Sequence, residues 1–161
     1  KTALPTDATT ALSDSFKCLG YISEDGVSQE IETDLEDIKA WGGDTVLNPQ
    51  TSRSEKFTQT FIIEQNAEVL KQVYGESNVT VGENGQITVL HNGLEKFEYV
   101  YVIETLLTGN RVNRLVIPRG KVIEVGEVVR KDDEAIGYET TISALLDSAG
   151  NTAYEHFAEV V

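Results

Sequence analysis

Short runs of β-branched and aromatic residues, separated by turn signals, dominate the sequence from Phe16 onward. The clearest run is Ser54–Ile63, where Phe57 and Phe61 share one parity while threonines occupy the other. An alternation of period two is typical of a strand with one apolar and one mixed side. The pattern therefore predicts a mainly β protein built from antiparallel strands.

Further runs of this kind predict the remaining strands, and Asn and Gly pairs supply the positive φ angles that tight turns between strands need. The predicted turns are Asn84-Gly85, Asn92-Gly93, Gly109-Asn110 and the loop 147–151. The predicted strands are Asn78–Val81, Gln86–His91, Phe97–Leu107, Arg111–Pro118, Val122–Arg130, Tyr138–Leu146 and Tyr154–Val160.

One helix is predicted, over residues 64–74, because apolar residues there recur at spacings of three and four. Glu64 lies at the end where the helix dipole favours an acid, and Gly75 ends the pattern. The periodic positions are Ala67, Leu70, Val73 and Tyr74. Strands and helix together predict an antiparallel β-sandwich or barrel with one flanking helix.

The segment 28–44 fits two structures. Four acids occupy alternate positions, which would give a strand with one acidic face. Three aliphatic residues of the same segment also recur at helical spacing, so helix and strand both stay open. The acids are Glu30, Glu32, Asp34 and Glu36, and the aliphatic residues are Ile31, Leu35 and Ile38.

Trp41 follows in this segment and is succeeded by two glycines. We expect segment 28–44 to be a long arm whose apolar side needs a partner. The alternative is a surface hairpin with Trp41 folded back on its own core. Residues 1–15 are rich in Thr, Ala and Asp and predict an N-terminal arm or linker, which leaves 16–161 as a single domain.

Composition narrows the functional classes. The chain has 161 residues, 40% of them hydrophobic, which suffices for one packed core. A net charge of −14 argues against tight binding of nucleic acid or of an anionic membrane surface. His91 and His156 lie in no catalytic motif, and Cys18 sits in an apolar run that predicts a buried thiol. We therefore predict no enzymatic activity, no catalytic or metal site and no cofactor.

The charge is unevenly placed. Seven acids and no base lie between Ile22 and Asp37, whereas six bases and two acids lie between Arg111 and Lys131. The two segments either lie side by side in one chain, or the arm of one copy meets the basic strands of the next. On the second hypothesis the subunit interface contains Ile31, Leu35, Ile38, Trp41, Arg111, Arg114, Arg119 and Lys121.

Several short motifs, spread from Phe16 to Phe157, carry a family resemblance. They are Gly20–Val27, Ala40–Asp44, Ile63–Asn66, Val73–Gly75, Asn78–Thr80, Leu115–Pro118 and Asp147–Gly150. In these motifs the sequence resembles the major tail tube proteins of bacteriophages with long, flexible tails. The resemblance implies a β-sandwich with one helix, and six copies in a ring whose inner strands form a barrel around a channel. It also implies that rings stack and that the long arm reaches a neighbouring subunit or ring.

The resemblance implies a structural virion protein whose tube conducts DNA without binding it tightly, since acidic walls repel phosphate. Its partners would be copies of itself, the tape measure protein and other tail proteins, with assembly in the host cytoplasm and no membrane binding. The acidic positions Glu30, Glu32, Asp34 and Glu36 are candidates for the channel lining, or equally for the docking arm. Two alternatives are the tube of a contractile injection or secretion system and a soluble β-sandwich binding or carbohydrate-active module.

Overall fold

The computed structural model describes residues 3–43, 45–62, 66–93, 96–128, 130 and 136–159. Its strands are β1 Tyr21–Leu35, β2 Ile38–Lys39, β3 Thr45–Leu47, β4 Gln50–Ile62, β5 Val79–Val81, β6 Ile87–Val89, β7 Tyr99–Leu107, β8 Arg111–Val125, β9 Gly137–Ala144 and β10 Tyr154–Glu159. The helix α1 spans Ala67–Tyr74. The prediction of a mainly β, antiparallel protein with one helix is confirmed.

The main sheet has the order β1-β4-β9-β8-β10, with β7 on the other side of β8. Every pairing in it is antiparallel. The first half of β8 pairs with β7 and β10, and its second half pairs with β9. A β-bulge lies between these halves. Tyr99 pairs with Gly120 and Tyr101 pairs with Ile117, so a two-residue step along β7 corresponds to a three-residue step along β8. β8 therefore belongs to both layers of the sandwich.

The main core lies between the two layers. It joins Phe57 of β4 and Ile142 of β9 to Tyr101 of β7 and to residues from both halves of β8. On β4 the predicted alternation is confirmed, since Phe57 and Phe61 are buried while Thr58 and Thr60 are partly exposed. The apolar side of this strand thus faces the opposite layer and its polar side faces away.

The helix packs against the sheet through a second apolar cluster, in which Val69 and Val73 of the helix contact Phe61 and Tyr138 of the sheet. Asn66 caps its first turn by accepting the amide of Glu68 at 2.9 Å. Gly75 ends it at φ +95°, a conformation that favours glycine. The sequence-based start at Glu64 lies outside the described residues.

Three sequence-based expectations about the fold are wrong. Arg111–Pro118 and Val122–Arg130 were expected as separate strands, but one strand crosses both segments and ends at Val125. Asn92-Gly93 does not adopt positive φ, unlike the other two predicted Asn and Gly pairs. The third concerns Cys18, which was expected to be buried but is exposed, while its neighbour Leu19 packs against the core.

The N-terminal segment lies against the outer face of β8. One nitrogen of the buried Arg114 guanidinium donates to the backbone carbonyls of Asp7 and Thr10, both at 2.8 Å. Ala8, which lies between these two residues, is buried. The Asp7 carboxylate accepts the backbone amides of Thr10 and Thr9, which holds its pKa well below the usual range. That this segment serves as an arm or linker stays a prediction.

Candidate assembly surfaces

The described part of the predicted arm, residues 28–43, forms most of a projecting hairpin. The open choice between helix and strand is settled as strand, because residues 28–35 belong to β1 and pair with β4. The pairing of β4 with β9 ends at Glu55, beyond which β1 and β4 pair only with each other among the described residues. We call residues 31–43 and 45–54 the arm, and β2 and β3 pair near its tip.

The arm carries apolar side chains that are exposed among the described residues. Trp41 is fully exposed, with 107% of its reference area accessible, so the alternative in which it folds back on the core is wrong. The arm is therefore the kind of exposed apolar surface that marks an interface. Its exposed apolar residues are Ile31, Leu35, Ile38, Trp41 and Leu47.

The two sides of the β1 strand in the arm differ in chemistry. Glu30, Glu32 and Asp34 share one side, where their cross-strand partners are lysine and serine. Ile31 and Leu35 occupy alternate positions that point to the opposite side. Glu36 lies past the end of β1, exposed, and donates its amide to a backbone carbonyl. The acidic and the apolar positions are thus on opposite sides of one ribbon.

The acidic side continues as a polar face across β4, β9 and the second half of β8. One row of directly paired residues runs Glu30, Lys56, Ser143 and Lys121. In the next row the hydroxyls of Thr58 and Thr141 are 3.1 Å apart. We call this surface the polar face, and its charged members are Glu30, Glu32, Asp34, Glu124, Glu139, Lys56 and Lys121.

Lys56 is the polar-face residue that sequence reasoning missed. Its ammonium lies 3.1 Å from the Glu32 carboxylate, and the hydrogen bond between them lowers the pKa of Glu32 and raises that of Lys56. Lys56 shares the parity of Thr58 and Thr60, and this alternation was the signal that could have placed it beside the acids. Five acids still outnumber the two lysines, Lys56 and Lys121, so the face is negative overall.

The four predicted interface cations are not gathered in one place. Arg119 is half-exposed and makes two hydrogen bonds to the Glu98 carboxylate, at 2.9 and 3.1 Å. Arg111 is exposed at the start of β8, and Lys121 belongs to the polar face. Arg114 differs from the expectation of an exposed interface residue, because it is 5% exposed and its guanidinium already pairs with the Glu104 carboxylate and with backbone carbonyls of the N-terminal segment.

The strand edges of the sheet are open. β1 pairs with β4 alone, β7 with β8 alone and β10 with β8 alone, among the described residues. Unpaired edges of this length are templates for pairing with another chain. Exposed apolar surface and open edges together define a protein that completes its fold by assembly.

No side chains are gathered for chemistry in the part of the chain that the structure describes. No group of three His, Cys, Asp or Glu residues there could hold a metal ion. His91 is exposed and its ring packs against that of Tyr74 in a tilted arrangement, with the ring centroids 4.5 Å apart. Across the described ranges, no helix is both long and apolar enough to cross a membrane.

The comparisons with known proteins agree with an assembly subunit. A family model described as phage tail tube protein matches residues 1–159. No curated protein matches the sequence. The chain belongs to the phage tail tube protein family. It is a structural protein of the virion tail, and copies of it assemble with other tail proteins into the tube.

Proposed function

We propose that this subunit forms hexameric rings, which stack into the tube of a long, flexible tail and enclose the channel for DNA. The division of the arm into an acidic and an apolar side is the observation that carries the proposal. Because the two sides point in opposite directions, lining a channel and docking on a neighbour do not compete for the same residues. The protein has no enzymatic activity and acts by shape and charge.

The polar face is the proposed channel lining. It is built from hydroxyl and charged side chains, with acids in excess over lysines. DNA phosphates meet no binding well on such a wall, because the excess carboxylates repel them at short range despite screening by salt. This proposal retains Glu30, Glu32 and Asp34 as lining residues and leaves out Glu36, which lies past the strand.

The apolar side of the arm is the proposed contact with the neighbouring copy. Ile31 and Leu35 lie on this side, Ile38 and Trp41 follow nearer the tip of the arm, and all four are exposed in the single chain. The open edge of β1 offers backbone groups to an edge of the next copy, so that six copies close without leaving a free edge. Head-to-tail contacts of this kind join two different surfaces of the subunit. Arg111 and Arg119, which are exposed, remain proposed members of the interface.

The proposed partners are further copies of this chain, the tape measure protein and other tail proteins. Assembly takes place in the host cytoplasm, and this chain does not bind membranes. A tube of a contractile system shares the proposed contacts, and a sheath gene next to this one would favour that alternative. Family membership gives no support to a carbohydrate-binding module.

Electron microscopy of the purified protein at high concentration tests the ring. We expect end-on views with sixfold symmetry and side views of stacked rings. A protein that stays monomeric even with its tail assembly partners present would contradict the proposal. Rings of another symmetry would contradict the hexamer alone.

Charge reversal on the polar face tests the channel lining. The triple variant Glu30→Lys, Glu32→Lys and Asp34→Lys should still form tubes but should retain DNA in a salt-dependent manner, because it converts repulsion into phosphate binding. Co-sedimentation of tubes with short duplex DNA, with increasing salt, measures the effect. The matched control reverses three acids away from this face, Asp14, Glu83 and Glu127, and should bind no better than wild type. Equal binding by both variants would show that total charge, and not the lining, controls retention.

A further inference from the structure

The arm leaves the body of the molecule at Glu55, whose carboxylate is buried. The residue is 4% exposed, although it is the last position of β4 that pairs with β9. The arm beyond it is a two-stranded ribbon, and such a ribbon has little stiffness of its own. The direction of the arm therefore depends on what holds the chain at Glu55.

The Glu55 carboxylate joins three parts of the chain. Its Oε1 accepts a hydrogen bond of 2.6 Å from Nε2 of the Gln29 side chain on β1. Its Oε2 accepts the hydroxyl of Thr152, which belongs to the connection between β9 and β10. Arg53 approaches the same oxygen at 3.6 Å from within the arm. A buried carboxylate needs partners of this kind, because an unpaired buried charge is costly.

Thr152 is itself held in a fixed place. The preceding turn is tied by the Asp147 carboxylate, which accepts the amides of Ala149 and Asn151 at 2.8 and 2.9 Å and the hydroxyl of Tyr154 at 2.6 Å. The hydrogen bond from Tyr154 contributes most to lowering the pKa of Asp147, and the backbone amides lower it further. The turn thus presents the Thr152 hydroxyl to Glu55 from a rigid base.

At the root of the arm, close packing of apolar side chains does not fix the direction of the arm. A cavity of about 170 Å³ lies there, lined largely by polar groups. Where side chains do not fill the space between two layers, a hydrogen bond across it carries the contact. The polar residues that line it are Gln29, Arg53, Glu55, Asn151, Thr152 and Glu155, and Leu115, Gly150 and Ala153 complete the lining.

We propose that the Glu55–Thr152 contact is a latch that fixes the angle between the arm and the body of the subunit. Glu55 and Thr152 are positioning residues, since they touch no partner and act through the arm. The latch exists in the single subunit. Its consequence for assembly rests on the proposed function, because the angle decides where Trp41 arrives on the neighbouring copy.

The test compares three variants of the full chain. Thr152→Val removes the hydroxyl and keeps the shape, whereas Thr152→Ser keeps the hydroxyl. The control is Thr140→Val, which removes a buried hydroxyl bonded to Gln59, away from the arm. Spin labels at cysteines replacing Lys39 and Glu83, with Cys18→Ser, report the distance between arm tip and body. Hydrogen exchange reports the arm root at residues 29–31.

We expect Thr152→Val to broaden the distance distribution and to make exchange at the arm root about tenfold faster, as the loss of one charge-assisted hydrogen bond implies. Thr152→Ser and Thr140→Val should keep the narrow distribution. A narrow distribution in Thr152→Val, or an equal broadening in Thr140→Val, would overturn the latch. Both measurements use unassembled subunits, so a wild-type protein that forms no tubes would contradict the proposed function alone.

Discussion

Replacement of Trp41 by alanine is expected to abolish tube formation while leaving the isolated subunit as stable as before. The side chain is fully exposed at the tip of the arm, so its removal takes no apolar area out of the core. In the proposed tube it is an aromatic anchor, and truncating such an anchor commonly costs about 2 to 4 kcal/mol per contact. Because every subunit in a ring repeats the contact, the loss is multiplied around the assembly.

Sedimentation of polymerised protein and thermal unfolding of dilute protein measure the two halves of this prediction. Phe97→Ala is the matched control, because Phe97 is also an exposed aromatic residue but lies outside the arm. We expect Phe97→Ala tubes to sediment as wild type. A Trp41→Ala subunit that melts at a lower temperature and still polymerises would show that Trp41 belongs to a core, contrary to the structure and to the proposal.

The strands and the helix were predictable because one side of each is covered within the chain. On β4, residues of one parity bury against the opposite layer, so period two is visible in the sequence. The arm was ambiguous because neither of its sides is covered, and the sequence of an uncovered segment is not selected for one period. For Trp41 the sequence left an interface and a fold back on its own core both open, and only its full exposure in the structure excludes the second.

The candidate surfaces were harder to predict, because they depend on which residues face each other across strands. The acids of β1 were recognised from their alternation, but their partner Lys56 is 24 positions away from Glu32. Arg114 was predicted to be an exposed interface cation, but the N-terminal segment covers it and accepts its hydrogen bonds. In both cases the deciding contact joins segments far apart in sequence. Strand register sets the contact between Glu32 and Lys56, and the course of the N-terminal segment sets the contacts of Arg114.

The largest loss of subunit stability is expected for Gly120→Val. Gly120 lies just after the bulge at which β8 passes from one layer to the other, and it pairs with Tyr99 on one side and Ala144 on the other. A Cβ at this position would lie 2.7 Å from Cε2 of Tyr101 and 2.9 Å from Cγ2 of Ile142. Both side chains belong to the main core, so neither has space to yield.

Overpacking of this kind is expected to lower the free energy of unfolding by about 3 kcal/mol or more, which corresponds to a fall in Tm of roughly 6 to 12 °C. Gly93→Val is the matched control, because a Cβ at Gly93 meets no atom within 4 Å and the backbone there has no positive φ. The control should stay within about 0.5 kcal/mol of wild type. Chemical denaturation of the unassembled subunits measures both values. If Gly120→Val unfolded like the control, Tyr101 could not pack over Gly120, and the crossing of β8 between the layers would have to be placed elsewhere.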